Sequence, residues 1–303
     1  MSRRGPLFAI LTAALLGGAA AVVAQGNFDK VEIKAEKLAD HVWVLYGAGG
    51  NMGLCAGPDG GLLIDDQYAP LSAKIQKAVR ATSGQDVRMV VNTHWHGDHA
   101  GGNENLANAG ALLIAHDRVR ARLVEGQDNK FFNAKIPPAA AKALPVITFN
   151  DSTTLHMNGE TVVVFHVKPS HTDGDAMVWF TKANVLHMGD TFFNGLYPVI
   201  DLESGGSVDG MIAAADLALA RTGTETKIIP GHGKVTDKVR LKEYRDMLAG
   251  IRAAVAKLVA EKQTLEQAIA AKPTAPWDAV WGNGFIKPEL FVKVVYNDLS
   301  RQR

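Results

Sequence analysis

The sequence predicts an α/β fold, and three observations along the chain support this prediction. Short runs rich in Val, Ile and Leu, separated by Gly and Pro-Asp turns, recur over residues 31–66 and again over residues 152–233. Between these two blocks, strand-like and helix-like patterns alternate. From residue 237 onwards the apolar residues have the spacing of amphipathic helices. The strands of the second block end close to a His or an Asp, which is typical of a sheet that carries chemistry on its edge loops.

The first block is predicted to be a β-meander. Its strand-like runs are, in order, VEIKAEKLADHVWVLYG, MGLCAG and GGLLIDD. A helix is predicted over residues 70–82, and the buried run VRMVVNT after it is predicted to be a strand. A helix near residues 104–109 and a strand at ALLIAH continue the alternation. Residues 118–145, which contain Pro137 and Pro138, are predicted to be a less regular insertion that leans towards helix.

The second block supplies four more strand-like runs, STTLHMN, ETVVVFHVKP, DAMVWFTKANVLHMGD and TKIIPGHG, with a helix over residues 208–220 before the last. Apolar residues at helical spacing predict an amphipathic helix within residues 237–271, and they are Leu241, Tyr244, Leu248, Ile251, Val255, Leu258 and Leu265. GFIKPELFVKVVYNDLSR predicts a last helix that begins at its proline. Without a repeat or low-complexity linker, residues 25–303 are expected to form one domain.

The N-terminus has the pattern of a signal peptide. Arg3 and Arg4 precede an uncharged stretch over residues 7–24, and the small or branched residues Val22 and Ala24 stand where a signal peptidase reads the chain. We therefore expect residues 1–24 to be a signal peptide cleaved after Ala24, and the mature protein to be periplasmic or secreted without stable membrane association. The alternative is an uncleaved membrane anchor, because the apolar stretch is about long enough to span a bilayer.

The balance of charged residues argues against nucleic acid as a partner of this protein. The 32 basic and 31 acidic residues are interspersed and sum to a formal net charge of +1, so no basic stripe is available to follow a nucleic-acid backbone. We therefore expect a small-molecule substrate and no nucleic acid. The single cysteine, Cys55, excludes an internal disulfide and is predicted to be a buried strand residue. No pattern in the helical tail decides whether the chain dimerises.

The loop after VRMVV carries the clearest chemical signal, HWHGDH over residues 94–99. His94 and His96 are two apart in an extended segment, so their side chains point to the same side and suit one ion, zinc or a comparable transition metal. Gly97 is expected to let the backbone turn and aim Asp98 and His99 at a neighbouring ion. A solvated His-rich turn is the alternative, but the position at the end of an apolar strand favours metal.

Here the chain resembles the metallo-β-lactamase fold superfamily. Five spaced motifs carry the resemblance, in order: LLIDD (62–66), THWHGDHAGG (93–102), HTDGD (171–175), MGDTFF (188–193) and PGHG (230–233). The resemblance implies a four-layer αββα sandwich. Its shared core covers about residues 31–242, and a helical extension of about residues 243–303 lies outside it.

The resemblance also implies the ligands of two zinc ions. His94, His96 and His171 would hold the first zinc, and Asp98, His99 and His232 the second. Asp190 would be a ligand of the second zinc or a bridge between both. Asp65 would orient a ligand imidazole, as metal-site histidines usually require, and Asp175 is expected to act similarly. The other histidines match no motif and are expected to be packed or exposed: His41, His116, His156, His166 and His187.

Two zinc ions about 3.5 to 4 Å apart share a hydroxide that is nucleophilic at neutral pH, so hydrolysis of a carbonyl-centred bond is the expected reaction. Asp98 is the expected catalytic residue, because it would orient this hydroxide. At the fourth motif many zinc β-lactamases of the family carry a thiolate, whereas this chain carries Asp190. An oxygen ligand resembles the site of glyoxalase II, lactonases and phosphodiesterases, and it makes that site more tolerant of iron or manganese.

Export to a compartment where β-lactams act narrowly favours a β-lactamase-like hydrolase of an amide. Asp190 supports the alternative, a thioester, lactone or phosphodiester hydrolase that uses the same site. A third reading is a non-catalytic, metal-dependent binding protein of the periplasm.

Substrate contacts are predicted from residues beside the motifs. Asn51 and Met52, in the glycine-rich turn GAGGNMG, and Trp95, within the second motif, are candidates. Asn194 and Tyr197, which follow Asp190, are candidate donors to an oxyanion. Ordinary turn and packing roles are the alternative for all five residues.

Overall fold

The computed structural model describes residues 28–129 and 134–301, so the predicted signal peptide and its cleavage point lie outside the described residues. The strands of its first half are β1 Lys34–Ala39, β2 Val42–Tyr46, β3 Met52–Cys55, β4 Gly61–Ile64, β5 Val87–Val91, β6 Leu112–His116, β7 Gln127–Asn129, β8 Ala134–Ile136 and β9 Ile147–Phe149. Seven of them form one sheet in the order β1-β2-β3-β4-β5-β6-β9, and β7 pairs with β8 separately. Pairing is antiparallel from β1 to β4 and parallel from β4 to β9.

A second sheet contains five strands in chain order: β10 Ser152–Met157, β11 Glu160–His166, β12 Ala176–Phe180, β13 Val185–His187 and β14 Lys227–Ile229. Both β11 and β13 are antiparallel to β12, so they run in the same direction, and β14 lies parallel to β13. The carboxyl ends of β11, β13 and β14 therefore lie at one edge of the second sheet. The carboxyl ends of the parallel strands β4 and β5 share an edge of the first sheet in the same way.

The helices lie outside the two sheets. They are α1 Ser72–Ser83, α2 Gly97–Ala100, α3 Asn103–Asn108, α4 Asp117–Glu125, α5 Val208–Arg221, α6 Lys238–Ala260, α7 Leu265–Ala270, α8 Asp278–Trp281 and α9 Pro288–Arg301. The long helix α6 begins at a cap in which the Asp237 side chain accepts a hydrogen bond from the amide of Arg240. Among the described residues, none of these helices combines the length and the apolarity that are needed to cross a bilayer.

The layers follow from the alternation of side chains along the strands. In β4, Leu62 and Ile64 face the second sheet, whereas Leu63 between them packs towards α1 and α3. On the other side, the second sheet presents residues such as Phe165 and Leu186 to α5, α6 and α9. The arrangement is helix, sheet, sheet, helix, so the predicted αββα sandwich with C-terminal helices is confirmed.

The structure corrects three predicted elements. Residues 118–145 are not mainly helical, because after α4 the chain forms the β7–β8 hairpin. Strand β9 was not predicted, and its three residues pair in parallel with β6. The helix predicted within residues 237–271 is two helices, because α6 ends at Ala260 and Thr264 then caps α7 with a capping box.

Cys55 lies on β3, fully buried between the sheets, and its Sγ is 3.8 Å from the carbonyl oxygen of Met157. Burial raises the pKa of the Cys55 thiol to about 11. Very little of the thiol is therefore ionised near neutral pH, and the thiolate is the reactive form. We expect Ellman's reagent to modify no thiol in the folded protein and one per chain in guanidinium chloride. Rapid modification without denaturant would contradict this burial.

Candidate metal centre

The five motifs meet where the strands end. Residues 94–99 follow β5, His171 lies between β11 and β12, Asp190 follows β13, and His232 follows β14. Three overlapping groups of side chains bring a ligand atom of each member within 4.8 Å of the others: His94, His96 and His171; His94, His99 and Asp190; and Asp98, His99 and His232. All seven predicted ligands therefore belong to one continuous site.

The first histidine cluster, His94, His96 and His171, is buried, and its imidazoles face one another closely. Nε2 of His171 lies 2.8 Å from Nδ1 of His96. The other nitrogen of each ring faces an acceptor, because His171 Nδ1 is 2.8 Å from the carbonyl oxygen of Val199 and His96 Nε2 is 3.0 Å from Oδ2 of Asp201. If those outer nitrogens carry the protons, both inner nitrogens present lone pairs to each other. A cation between them would relieve this repulsion, so the pair fits a metal.

The imidazole of His94 is also oriented by hydrogen bonds, which run from Asp65 through the hydroxyl of Thr93. The Thr93 hydroxyl donates to Oδ2 of Asp65 at 2.8 Å, so it is an acceptor towards His94 Nδ1 at 3.1 Å. The proton of His94 therefore sits on Nδ1. Its Nε2 is buried and has no hydrogen-bond partner, which is the state expected of a nitrogen reserved for a metal.

The second cluster, Asp98, His99 and His232, lies on the more open side. His99 is fully buried and its Nδ1 contacts Oδ2 of Asp65 at 2.8 Å, so its Nε2 points into the site. That nitrogen is 3.5 Å from Nε2 of His232. Oδ2 of Asp98 lies 3.3 Å from His232 Nε2, and both side chains are about one-quarter exposed, at 24% and 25%. Because these two side chains are partly exposed, the site is open to solvent on the side of Asp98 and His232.

Asp190 lies between the two clusters. Its Oδ2 is 3.6 Å from Nε2 of His171 and 3.4 Å from Nε2 of His232. Its Oδ1 is 3.1 Å from Nε2 of His99. One buried carboxylate therefore faces nitrogens of both clusters, which is the placement needed for a bridge between two ions. Gly231 makes this approach possible, because a Cβ at that position would collide with Asp190 Oδ1.

The carboxylates and imidazoles in and beside the second cluster shift one another's pKa values. Burial opposes the charged form of His232, but the neighbouring carboxylates, Asp190 first, raise its pKa to about 10. Burial also opposes the charged form of His99, and Asp190 with Asp98 still raises the pKa of His99 well above its usual range. Burial alone would raise the pKa of Asp190, yet His99 and His232 hold it well below its usual range. The carboxylates therefore stabilise positive charge placed next to them. A bound cation would supply such a charge.

Asp65 and Asp175 act at different distances from the imidazoles. Asp65 contacts His99 directly and reaches His94 through Thr93, as predicted for a residue that orients ligands. It adopts a left-handed backbone with φ of 61°, which is uncommon outside glycine. Asp175 instead accepts hydrogen bonds from the backbone N–H groups of His171 and Thr172, both through Oδ2. It therefore shapes the loop and does not contact a ligand imidazole, which corrects its predicted role.

The structure also corrects the predicted substrate contacts in the first half of the chain. Met52 is fully buried in the outer core of the first sheet. Trp95 is 2% exposed and packs on Ala115 and Val119, with its ring edge against His96. Asn51 uses its amide to donate to the carbonyl oxygens of Pro230 and Gly233. It therefore joins the glycine-rich turn to the loop that carries His232, and it does not face the opening.

Asn194 and Tyr197 are likewise engaged away from the opening. The Asn194 amide donates to the carbonyl oxygen of Lys234 and accepts from Nε of Arg240. Tyr197 is 1% exposed, and its hydroxyl donates to Oδ1 of Asp278 at 2.8 Å. Neither side chain is placed to donate to an oxyanion.

Two glycines near the site, Gly97 and Gly50, differ in how closely other atoms pack around them. Gly97 has no positive φ, and a Cβ there would meet nothing within 4 Å, so the predicted need for a special turn at Gly97 is wrong. Gly50 is the critical position instead, because a Cβ there would overlap the imidazole of His99. The turn that carries Gly50 is held in place by a hydrogen bond from its amide to the carbonyl oxygen of Asp98.

Thr93 and Asp201 were missed as functional residues. Thr93 is part of the second motif, and its hydroxyl next to His94 was a signal that could have been used. Asp201 is 105 residues from His96 in the chain, and its position after an apolar run was the only hint. Asp201 holds its charge because, although burial raises its pKa, hydrogen bonding to His96 and Ser204 lowers it below the usual range.

Replacing Thr93 by Val tests the relay to His94. The variant keeps the shape but leaves Nδ1 of His94 without an acceptor, so we expect zinc affinity of the first cluster to fall about 10- to 100-fold. The matched control is Thr93→Ser, which retains the hydroxyl and should bind zinc within a few-fold of wild type. Chelator competition measures both. Equal affinities of the Val and Ser variants would show that the hydroxyl does not orient His94.

A family model described as the metallo-beta-lactamase superfamily matches residues 46–249. Among curated proteins, the hydroxyacylglutathione hydrolase of Polaromonas sp. is 30% identical over 181 residues, which are 58% of this chain and 60% of that protein. The enzyme of the same name from Nitrosococcus oceani is 30% identical over 166 residues, 54% of this chain and 55% of its own length. The chain therefore spans less than two-thirds of either relative.

The metallo-beta-lactamase type 2 of Bacteroides fragilis is 23% identical over 214 residues, covering 67% of this chain and 80% of that protein. Two solved structures share the fold. A metallo-beta-lactamase from Pontibacter korlensis has a TM-score of 0.61 at 18% identity, over 72% of this chain and 99% of that chain. DIM-1 metallo-beta-lactamase has a TM-score of 0.59 at 22% identity, over 73% and 99%. With the family model matched across the strands and loops that build the site, the chain belongs to the metallo-beta-lactamase superfamily.

Proposed function

We propose that this protein is a dinuclear zinc hydrolase that cleaves an acyl thioester. The observation that carries the proposal is the position of Asp190, whose carboxylate faces histidine nitrogens of both clusters within 3.1 to 3.6 Å. His94, His96 and His171 would hold one ion, and Asp98, His99 and His232 the other. Imidazole and carboxylate ligands suit zinc, and the two carboxylates that Asp190 and Asp98 offer to the second cluster also suit iron or manganese.

When bound at these residues, the ions supply Lewis-acid activation of water and of the substrate carbonyl. The chain itself supplies the proton transfers. Asp98 lies at the open side with Oδ2 3.3 Å from His232 Nε2. Burial alone would raise the pKa of Asp98, but His99 and His232 hold it below the usual range, so the carboxylate is ionised at neutral pH. Asp98 is placed to accept a proton from the attacking water and to pass it to the leaving sulfur as the carbon–sulfur bond breaks.

Two observations support a thioester substrate, namely the sequence similarity to two hydroxyacylglutathione hydrolases and the carboxylate ligand Asp190. A hydroxyacylglutathione is a thioester, and two hydroxyacylglutathione hydrolases are each 30% identical to this chain over the matched region. At the fourth motif this chain carries Asp190, where many zinc β-lactamases of the family carry a thiolate, and this oxygen ligand supports the same class. These two observations support thioester hydrolysis over the β-lactam hydrolysis that export favours.

β-Lactam hydrolysis is the second candidate. It is supported by the similarity to the metallo-beta-lactamase type 2 of Bacteroides fragilis, of which the chain covers 80%. The same placement of Asp98 serves either reaction, because both begin with attack of water on a carbonyl carbon.

The test is a panel of substrates on zinc-loaded protein: an acyl-glutathione thioester, nitrocefin, a lactone and an aryl phosphodiester. We expect the thioester to have the highest kcat/KM. Faster turnover of nitrocefin would reverse the order of the two candidates, and rapid cleavage of the lactone or the phosphodiester alone would replace both. Tight zinc binding with no turnover of any substrate would favour a metal-dependent binding protein.

Export remains part of the proposal. The basic start and apolar stretch over residues 1–24 support cleavage after Ala24 and a periplasmic or secreted protein. Intact-mass analysis of protein recovered from the bacterial periplasm provides the test. A species that retains residues 1–24 would contradict cleavage.

A further inference from the structure

The loop over residues 197–201 orients two ligands of the first histidine cluster. The carbonyl oxygen of Val199 contacts Nδ1 of His171 at 2.8 Å, and the carboxylate of Asp201 contacts Nε2 of His96 at 3.0 Å. The backbone of Asp201 also donates to the carbonyl oxygen of His171 at 2.9 Å. This loop therefore determines which nitrogen of each ring points into the site.

The same loop has no regular secondary structure, so no strand or helix ladder fixes it. Its position depends on the burial of Ile200 in the core and on contacts at its two ends. At the far end, the turn after Asp201 is closed by hydrogen bonds from the backbone N–H groups of Glu203 and Ser204 to Oδ1 of Asp201. At the near end, the anchor is Tyr197.

Tyr197 lies in the core beside the second sheet and is bonded to the C-terminal tail, where its hydroxyl contacts the carbonyl oxygen of Thr274 at 3.3 Å. Its backbone N–H donates to the carbonyl oxygen of Trp281 at 2.8 Å, and its hydroxyl donates to Oδ1 of Asp278 at 2.8 Å. Its ring stacks on Phe291 of α9, with centroids 4.8 Å apart and planes at 11°. Asp278, Trp281 and Phe291 all lie beyond residue 249, where the match to the family model ends.

We infer that the C-terminal helices are a positioning element of the first histidine cluster. They hold Tyr197, and through it the loop whose Val199 carbonyl and Asp201 carboxylate orient His171 and His96. Tyr197 and Asp278 are positioning residues, since neither touches the site. This inference rests on the proposed metal centre for its functional consequence, but the orientation of the imidazoles is a property of the chain alone.

The test compares Tyr197→Phe with Tyr296→Phe in the full chain. Each change removes one tyrosine hydroxyl that donates to the C-terminal tail, and each keeps the ring. The Tyr296 hydroxyl donates to the carbonyl oxygen of Gln263, a contact within the tail that does not involve the loop. Any general loss of tail stability is therefore common to both variants, and only Tyr197→Phe loosens the loop.

Two readouts are measured on wild type and both variants. Chelator competition gives the affinity of each zinc site, and long-range proton–nitrogen NMR of the EDTA-treated protein gives the tautomers of His96 and His171. Partners that orient ligand imidazoles typically change metal affinity 10- to 100-fold, and Tyr197 acts one step further away. We expect about tenfold weaker zinc binding at one site and mixed tautomers in Tyr197→Phe, with Tyr296→Phe within twofold of wild type.

Zinc affinity and tautomers in Tyr197→Phe equal to those of wild type would overturn the inference. If Tyr197→Phe does not fold, Asp278→Ala removes the same hydrogen bond from the other side and is judged by the same criterion. Wild-type protein that binds no zinc would contradict the proposed function. In that case, the NMR tautomers still decide whether the tail orients His96 and His171.

Discussion

Replacing His96 by Ala is expected to reduce hydrolysis severely and to lower the zinc content of the protein. His96 is one of three imidazoles in the first cluster, and its Nδ1 faces His171 Nε2 at 2.8 Å. The variant also leaves the buried carboxylate of Asp201 without its imidazole partner. Losing roughly 4 kcal/mol of transition-state stabilisation by a metal corresponds to about a thousandfold lower kcat/KM. Elemental analysis and turnover of the best substrate in the panel measure the two effects.

The matched control is His116→Ala. His116 is also buried, at 5% exposed, but it stacks on His166 with centroids 3.9 Å apart and belongs to neither cluster. This variant should lose stability through the cavity it creates, while it keeps zinc content and turnover per folded molecule. Wild-type turnover and zinc content in His96→Ala would refute the assignment of His96 as a ligand.

Replacing Gly50 by Ala is expected to damage the second cluster although Gly50 is not a ligand. The added methyl group would overlap the imidazole of His99, which is fully buried and held by Asp65 at 2.8 Å. Neither side can move easily, because the Gly50 amide is bonded to the carbonyl oxygen of Asp98. Overpacking of this kind costs about 1 to 3 kcal/mol, and it displaces His99 from its ligand position. We expect a lower melting temperature, about one zinc per chain and at least tenfold lower turnover.

Gly97→Ala is the control for this substitution, because Gly97 lies inside the metal motif but has open space around its Cβ position. Zinc content and melting temperature should stay at wild-type values. The pair thus contrasts a harmless change within the motif with a harmful one outside it. Equal zinc content in Gly50→Ala and Gly97→Ala would contradict the packing of the glycine-rich turn against His99.

The sequence predicted the elements that depend on local pattern. Short apolar runs bounded by turn residues predicted most strands, and Pro288 begins the last helix as predicted, because both signals lie in neighbouring residues. Strand β9 and the β7–β8 hairpin were missed, since each strand has only three residues and too little periodicity to read. The break between α6 and α7 was missed because the apolar spacing continues across it.

The seven candidate ligands were available in the sequence because each lies in a short motif after a strand, and the structure brings all seven together. The residues that orient these ligands could not be identified from the sequence in the same way. The bond between His96 and Asp201 joins residues 105 apart, and the contact of Tyr197 with Asp278 joins residues 81 apart. No local pattern encodes which side chains meet over such distances.

The sequence by itself therefore determined the α/β class, which follows from periodicity, and the five motifs whose family resemblance implied the layered sandwich and the candidate ligands. Only the tertiary structure decided that Asp190 lies between the clusters, that Thr93 and Asp201 set the imidazole orientations, and that the five predicted substrate contacts are engaged elsewhere. The physical reason is that hydrogen bonding and packing act through space, so a side chain's role depends on which distant segment fills the position beside it.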